Sequence, residues 1–166
     1  LAVRAGSSVQ HAAALGGTYL GVWGLSQIFT GPLSDRLGRK PMIAGGLWLQ
    51  ALGIALIILA PGSQFWIGAT LLMGLGTGMV YPALLAGVSD LAHPSWRASA
   101  LGVYRLWRAG GYAAGAVLAG LLSDAFGLSV AVLAIAALTG LSGMLVSVLL
   151  QEPKTQLLRL SRQAAD

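Results

Sequence analysis

Five apolar stretches, each about as long as a bilayer is thick, dominate this chain. A hydrocarbon core needs about 20 consecutive apolar residues per helix, and such runs occupy residues 11–30, 42–60, 65–88, 98–122 and 128–150. Only 9% of the 166 residues are charged, whereas soluble domains average about 25%. A soluble globule of this size must expose most of its surface to water, so the composition excludes an ordinary soluble enzyme. We predict an all-α, polytopic transmembrane helix bundle with five spanning helices in one domain over residues 1–166.

The basic residues fall in the polar breaks between the runs and predict an orientation. On one side, the breaks at 31–41 and 89–97 and the tail at 151–166 carry Arg36, Arg39, Lys40, Arg97, Lys154, Arg159 and Arg162. The opposite side, which includes the breaks at 61–64 and 123–127, carries only Arg4. Cytoplasmic loops of membrane proteins carry an excess of Lys and Arg. We therefore expect the first side, with the tail, to be cytoplasmic.

Catalytic and metal-binding patterns are missing from the sequence. It contains no cysteine, and His11 and His93 lie too far apart to predict a metal site. No phosphate-binding glycine loop, nucleophile elbow or pair of carboxylates occurs. The net charge of +5 is explained by membrane topology rather than by nucleic acid. We expect no enzyme activity, catalytic residue, metal, cofactor or nucleic-acid partner, and the lipid bilayer as the surrounding partner.

The break GPLSDRLGRKP at 31–41 is the most specific motif in the chain. Its glycines permit close packing and a left-handed turn, the latter at Gly38. Asp35 has three alternatives: it pairs with Arg36, pairs with Arg39, or lies at the positive N-terminus of a neighbouring helix. Taken alone, the stretch is a basic turn between two membrane helices.

This motif resembles the signature loop of the major facilitator superfamily, G-x-L-[SA]-D-[RK]-x-G-[RK]-[RK], at every specified position. The resemblance implies a secondary transporter in which two helix bundles rock around a site near the middle of the membrane. It also implies that the loop is a cytoplasmic latch, with an acidic residue and its cationic partners. The latch candidates come from this loop and from the break at 89–97. They are Gly31, Asp35, Arg36, Gly38, Arg39, Lys40, Asp90 and Arg97.

Longer segments favour the second half of such a transporter. The stretches TYLGVWGLSQIFTGPLSDRLGRKP and LLMGLGTGMVYPALLAGVSDLAHPSWRASALGVYRLWR resemble helices eight to eleven of bacterial members. The chain would then be a fragment covering helices eight to twelve, with the N-terminal half of the transporter missing. Helices two to six of the first half are the alternative, with the same topology. Either placement implies a bacterial cytoplasmic (inner) membrane.

Two polar stripes inside the apolar runs are candidates for a substrate cavity. Tyr104, Arg108 and Tyr112 share one helix face, and intramembrane arginine usually faces a cavity or partner. Arg105 and Arg108 have the alternative of extending to the interface, which is favoured for Arg105. The resemblance makes this run helix eleven, which lines the central cavity.

The second stripe lies in the first apolar run and consists of Tyr19, Trp23 and Gln27. It either faces the cavity or belongs to the packed interior, with two packed aromatic rings and one buried amide. The second and fifth runs carry no charge. We interpret them as peripheral, lipid-facing helices.

Glycines four residues apart predict close helix contacts, because two bare patches on one face admit a neighbouring backbone. The pairs are Gly17 with Gly21, Gly74 with Gly78, and Gly111 with Gly115. Tyr81 stands before Pro82, which we interpret as a helix kink.

No Asp or Glu lies in the core of the five runs, so a proton-coupling carboxylate would lie in the missing half. The alternatives are a facilitator without coupling and a transporter that couples through an anionic substrate met by Arg108. The predicted function is part of a transporter for a small solute. The alternative is a non-transporting scaffold or receptor-like protein that reuses the same fold.

Overall fold

The chain folds as five consecutive α-helices. A computed structural model describes residues 9–59 and 62–150, with α1 at Val9–Leu37, α2 at Arg39–Leu59, α3 at Ser63–Leu91, α4 at Arg97–Phe126 and α5 at Leu128–Leu149. No strand occurs within these ranges. The predicted all-α helix bundle is therefore confirmed.

Four of the described helices, α2 to α5, are long and apolar enough to cross a membrane. The helix α1 has the length, at 29 residues, but several glycines and polar residues such as Gln27 dilute its apolar run. Membrane crossing by α1 therefore stays a prediction. The predicted tail at 151–166 and Arg4 lie outside the described residues.

Single glycines separate two pairs of helices, so the junctions are shorter than the predicted breaks. Helix α1 continues through most of the 31–41 motif and ends at Leu37, and α2 begins at Arg39. Gly38 between them has φ of 104°, which side chains disfavour, and its N–H donates to the carbonyl of Ser34 at 3.0 Å. Gly127, with φ of 87°, likewise separates α4 from α5. At both junctions the helix continues through the polar residues and ends at a glycine with positive φ.

Helix α3 lies at the centre of the bundle and packs against α1 and α2, while α2 also packs against α5. A buried cluster of Met42, Ile43 and Ala83 joins α2 to α3. Helix α4 has no buried residue; it lies on α5 and touches α3. Helix α2 thus packs between α3 and α5, and the peripheral, lipid-facing position expected for α2 and α5 in a complete transporter stays a prediction. Lipid tails and neighbouring helices are equally apolar, so hydrophobicity does not separate the two environments.

The predicted close approach at Gly74 and Gly78 is confirmed. A Cβ added at Gly74 would lie 2.9 Å from the carbonyl oxygen of Tyr19, and one added at Gly78 would collide with Oγ of Ser26. Both glycines thus let α3 approach α1 closely. The other two predicted pairs have no atom within 4 Å of an added Cβ among the described residues: Gly17, Gly21, Gly111 and Gly115.

The opposite side of α3 is equally closely packed, and the pattern of glycines four residues apart missed it. A Cβ added at Gly76 would lie 2.5 Å from the carbonyl oxygen of Gly46, and one at Gly46 would lie 2.7 Å from that of Gly76. These two glycines therefore bring the backbones of α2 and α3 together. As a result, α3 is held closely between α1 and α2.

Candidate functional site

One arginine joins the ends of three helices at the α1–α2 junction. Nη1 of Arg39 donates to Oδ1 of Asp35 at 2.6 Å and to Oγ of Ser34 at 3.1 Å. Its Nε donates to Oδ2 of Asp90 at 3.1 Å. Asp35 and Ser34 lie near the end of α1, Arg39 begins α2, and Asp90 lies near the end of α3. We call the three charged residues, Asp35, Arg39 and Asp90, the latch.

Only some of the latch candidates named from the sequence take part in these contacts. Of the three alternatives for Asp35, the structure shows the ion pair with Arg39. Gly38 provides the turn that starts α2 beside the end of α1, and Gly31 lies within α1. Lys40 is half-buried next to Arg39. In the described ranges, Arg36 and Arg97 are exposed and form no ion pair with a carboxylate.

The second polar cluster surrounds a cavity of about 420 Å³ between α2, α3 and α4. Tyr104, Arg108 and Tyr112 of α4 all line it. The volume lies within the range of about 300–1,000 Å³ that is typical of small-molecule sites. The remaining lining residues are Leu47, Gln50, Thr77, Val80, Tyr81, Leu84 and Trp107.

Two tyrosines hold the guanidinium of Arg108 in this cavity. Its Nε and Nη2 donate to the hydroxyl of Tyr112 at 3.1 and 2.9 Å. Its Cζ lies 4.2 Å from the centroid of the Tyr81 ring and 5.3 Å from that of Tyr112. Both distances are within the roughly 6 Å over which a cation is attracted to an aromatic face. Arg105, one turn earlier, is exposed and does not line the cavity.

The stripe on α1 lies behind the cavity rather than on its surface. The hydroxyl of Tyr19 is 3.1 Å from Oγ1 of Thr77, and the Trp23 ring meets the Tyr81 ring edge-on at 6.2 Å. Gln27 donates to the carbonyl of Trp23 within α1. The stripe therefore supports two cavity residues, Thr77 and Tyr81, from the α1 side.

Three polar lining residues were missed by the sequence reasoning. Thr77 and Tyr81 lie four residues apart on α3, the spacing that we used for the stripes on α1 and α4. From the sequence, Tyr81 is interpreted only as part of a helix kink at Pro82. Gln50 is a strongly polar side chain within an otherwise apolar helix, which is itself a signal of a functional face.

The described residues contain no group of three His, Cys, Asp or Glu side chains that could hold a metal ion. The polar groups that line the cavity are an arginine, three tyrosines, a threonine and an amide, beside apolar walls.

Comparisons with known proteins connect the chain to bacterial transporters. It is 40% identical over 102 residues to the inner membrane transport protein YajR of Escherichia coli, covering 58% of this chain and 22% of that protein. It is 36% identical over 101 residues to the multidrug resistance protein MdtH of Yersinia enterocolitica, covering 58% and 25%. With multidrug resistance protein D of Escherichia coli it shares 38% identity over 63 residues, covering 38% and 16%.

The stretches matched to these three relatives span a quarter or less of each relative's length. The family model of the Major Facilitator Superfamily matches residues 2–165, almost the entire chain. This match agrees with the helical bundle, with its apolar helices, and with the signature motif at the α1–α2 junction. The chain is an integral membrane protein that belongs to the Major Facilitator Superfamily.

Proposed function

We propose that this chain is the C-terminal part of a secondary transporter that moves a small organic solute across the bacterial inner membrane. A preceding helical bundle, the missing N-terminal half, would complete the transporter. The relatives are several times longer than the stretches they share with the chain, which leaves room in such a protein for a second bundle. The single observation that carries the proposal is the cavity of about 420 Å³ around Arg108.

Polar and charged groups inside a membrane bundle cost free energy, so they persist where they serve a function. Here an arginine, three tyrosines, a threonine and an amide converge on one space between α2, α3 and α4. A scaffold whose helices pack together completely has no need of such a space. The cavity therefore favours transport over the scaffold alternative.

The latch supplies a means of alternating access. A transporter of this kind interconverts between two states, and a difference of a few kcal/mol biases their populations. Arg39 links the ends of α1, α2 and α3, so breaking its contacts frees these ends to move apart. We infer that the latch faces the cytoplasm and stabilises one state, with Arg36, Lys40 and Arg97 around it.

Thiol labelling tests whether the cavity is open to water. The chain has no cysteine of its own, so a single substitution introduces the only thiol in this part of the protein. In the full-length protein with any other cysteines replaced, we expect Tyr104→Cys and Tyr112→Cys to react with a membrane-impermeant thiol reagent. Leu106→Cys, on the same helix but outside the cavity, is the control and should react much more slowly. Labelling at neither cavity position would contradict the proposal.

The isolated 166-residue chain should not transport. Among the described residues, α2, α3 and α4 line the cavity, and α4 has no buried residue to close the space. Naphthoate, naphthamide and naphthylmethylammonium serve as an anionic, a neutral and a cationic test solute with the same ring system. We expect liposomes that contain the isolated chain to leak these solutes no faster than empty liposomes do. The full-length protein is the positive control, and specific flux from the isolated chain would contradict this prediction.

A further inference from the structure

Arg108 faces no carboxylate in the described part of the chain. The side chains around its guanidinium in the cavity include the phenols of Tyr81, Tyr104 and Tyr112. No ion pair forms between Arg108 and any described acid. Its positive charge is therefore stabilised by aromatic faces and one hydroxyl, without being neutralised.

The positions of the acids along the sequence agree with this observation for the described residues. The five carboxylates are Asp35, Asp90, Asp124, Glu152 and Asp166, so none occurs between residues 36 and 89 or between residues 91 and 123. The described acids lie near helix ends, away from the cavity lining. The described residues therefore place in the cavity an arginine charge that no carboxylate neutralises.

The guanidinium keeps hydrogen-bond donors for a ligand. It has five N–H groups, and the two hydrogen bonds to Tyr112 use two of them. The Tyr81 ring covers one face of the guanidinium plane, so a ligand approaches along its edge. That edge matches the paired oxygens of a carboxylate or a phosphate.

The remainder of the cavity suits an apolar body. Leu47, Val80 and Leu84 line it on the α2 and α3 sides, and the largely exposed Trp107 lines it on the α4 side. Gln50 and Thr77 add neutral polar groups. A charged head and an apolar body would therefore both find complementary surfaces.

Building on the proposed transport function, we propose that the cavity selects an amphipathic organic anion, with Arg108 as the anchor for its charged head. The ligand class is a carboxylate, sulfonate or phosphate attached to an aromatic or aliphatic body. An amphipathic cation of the same size would be disfavoured by the same charge.

Three probes with the same ring system test this selectivity: naphthoate, naphthamide and naphthylmethylammonium. Binding is measured by equilibrium dialysis with the full-length protein in nanodiscs of phosphatidylcholine. Since Arg108→Gln removes the charge-assisted hydrogen bonds to the carboxylate, we expect it to weaken naphthoate binding about tenfold or more. The same change should leave naphthamide within about threefold, because this probe carries no charge.

Arg105→Gln is the matched control, because it removes the same charge from the same helix at an exposed position outside the cavity. It should leave the binding of all three probes unchanged. Arg108→Lys keeps the charge and loses the planar fork, so it should retain the preference for naphthoate over naphthylmethylammonium at reduced affinity. If Arg108→Gln also loses naphthamide binding, the inference is decided by whether Arg108→Lys still prefers naphthoate over naphthylmethylammonium.

Two results would overturn the inference: wild-type protein that binds naphthylmethylammonium as tightly as naphthoate, or equal losses in Arg108→Gln and Arg105→Gln. A lipid headgroup is the other source of an anion. If nanodiscs with phosphatidylglycerol abolish naphthoate binding, the site belongs to a lipid and the inference fails. Labelled cavity thiols without an anion preference overturn this inference alone, whereas unlabelled thiols overturn the proposed function.

Discussion

Arg39→Ala is expected to reduce solute flux through the full-length transporter about tenfold, whereas Arg36→Ala leaves it nearly unchanged. Arg39 makes three side-chain hydrogen bonds that connect three helices, and Arg36 makes no ion pair among the described residues. Hydrogen bonds to charged groups contribute about 1.5–3 kcal/mol each, but solvent weakens pairs whose acids are exposed. Asp35 and Asp90 are 67% and 44% exposed, so we take about 1.4 kcal/mol in total, equivalent to tenfold.

The resting state should change along with the flux. In the Arg39→Ala variant, the thiol of Tyr104→Cys should become more reactive from one side of the membrane and less reactive from the other. Right-side-out and inside-out vesicles with an impermeant reagent measure this difference. Arg39→Lys should restore part of the wild-type pattern, because an ammonium keeps the charge without the fork that reaches both carboxylates. Indistinguishable behaviour of Arg39→Ala and Arg36→Ala would show that the latch does not bias the states.

Gly76→Leu is expected to destabilise the bundle by about 1–3 kcal/mol or more, because the new side chain has no space between α2 and α3. Its Cβ alone would lie 2.5 Å from the carbonyl oxygen of Gly46. That neighbour is backbone, so the two helices would have to separate. Size-exclusion chromatography of the full-length protein after heating measures the loss as a lower midpoint temperature.

Gly87→Leu is the matched control on the same helix. A Cβ at Gly87 meets no described atom within 4 Å, and leucine favours helix by up to about 1 kcal/mol over glycine. Its midpoint temperature should therefore stay the same or rise. Equal losses in the two variants would mean that the close contact between α2 and α3 does not set the stability.

Sequence patterns predicted the parts of the fold that depend on local properties. The number of helices follows from the length of the apolar runs, and the pairing of Asp35 with Arg39 was among three local alternatives. The participation of Asp90 followed only from the family resemblance, since this residue lies 51 positions away from Arg39. Local reasoning alone had no means of bringing it to the latch.

Helix placement and the full cavity could not be read from the same patterns. Both α2 and α5 are strongly apolar, yet α2 is packed between α3 and α5. Tyr81 lies over Arg108 because α3 and α4 face each other, which is a tertiary relation. Close contact through Gly76 and Gly46 depends on how two helices cross, and single glycines carry no spacing signal.

The uneven packing of the cavity walls has a practical consequence for directed evolution. Substitutions on the α3 wall must respect glycines that touch neighbouring backbones, so a randomised library there would lose many clones to misassembly. The α4 wall has no buried residue, and an added Cβ at Gly111 or Gly115 meets no described atom. Codon libraries aimed at α4 positions 104, 107 and 112 would therefore meet fewer packing constraints from the described residues than libraries on α3.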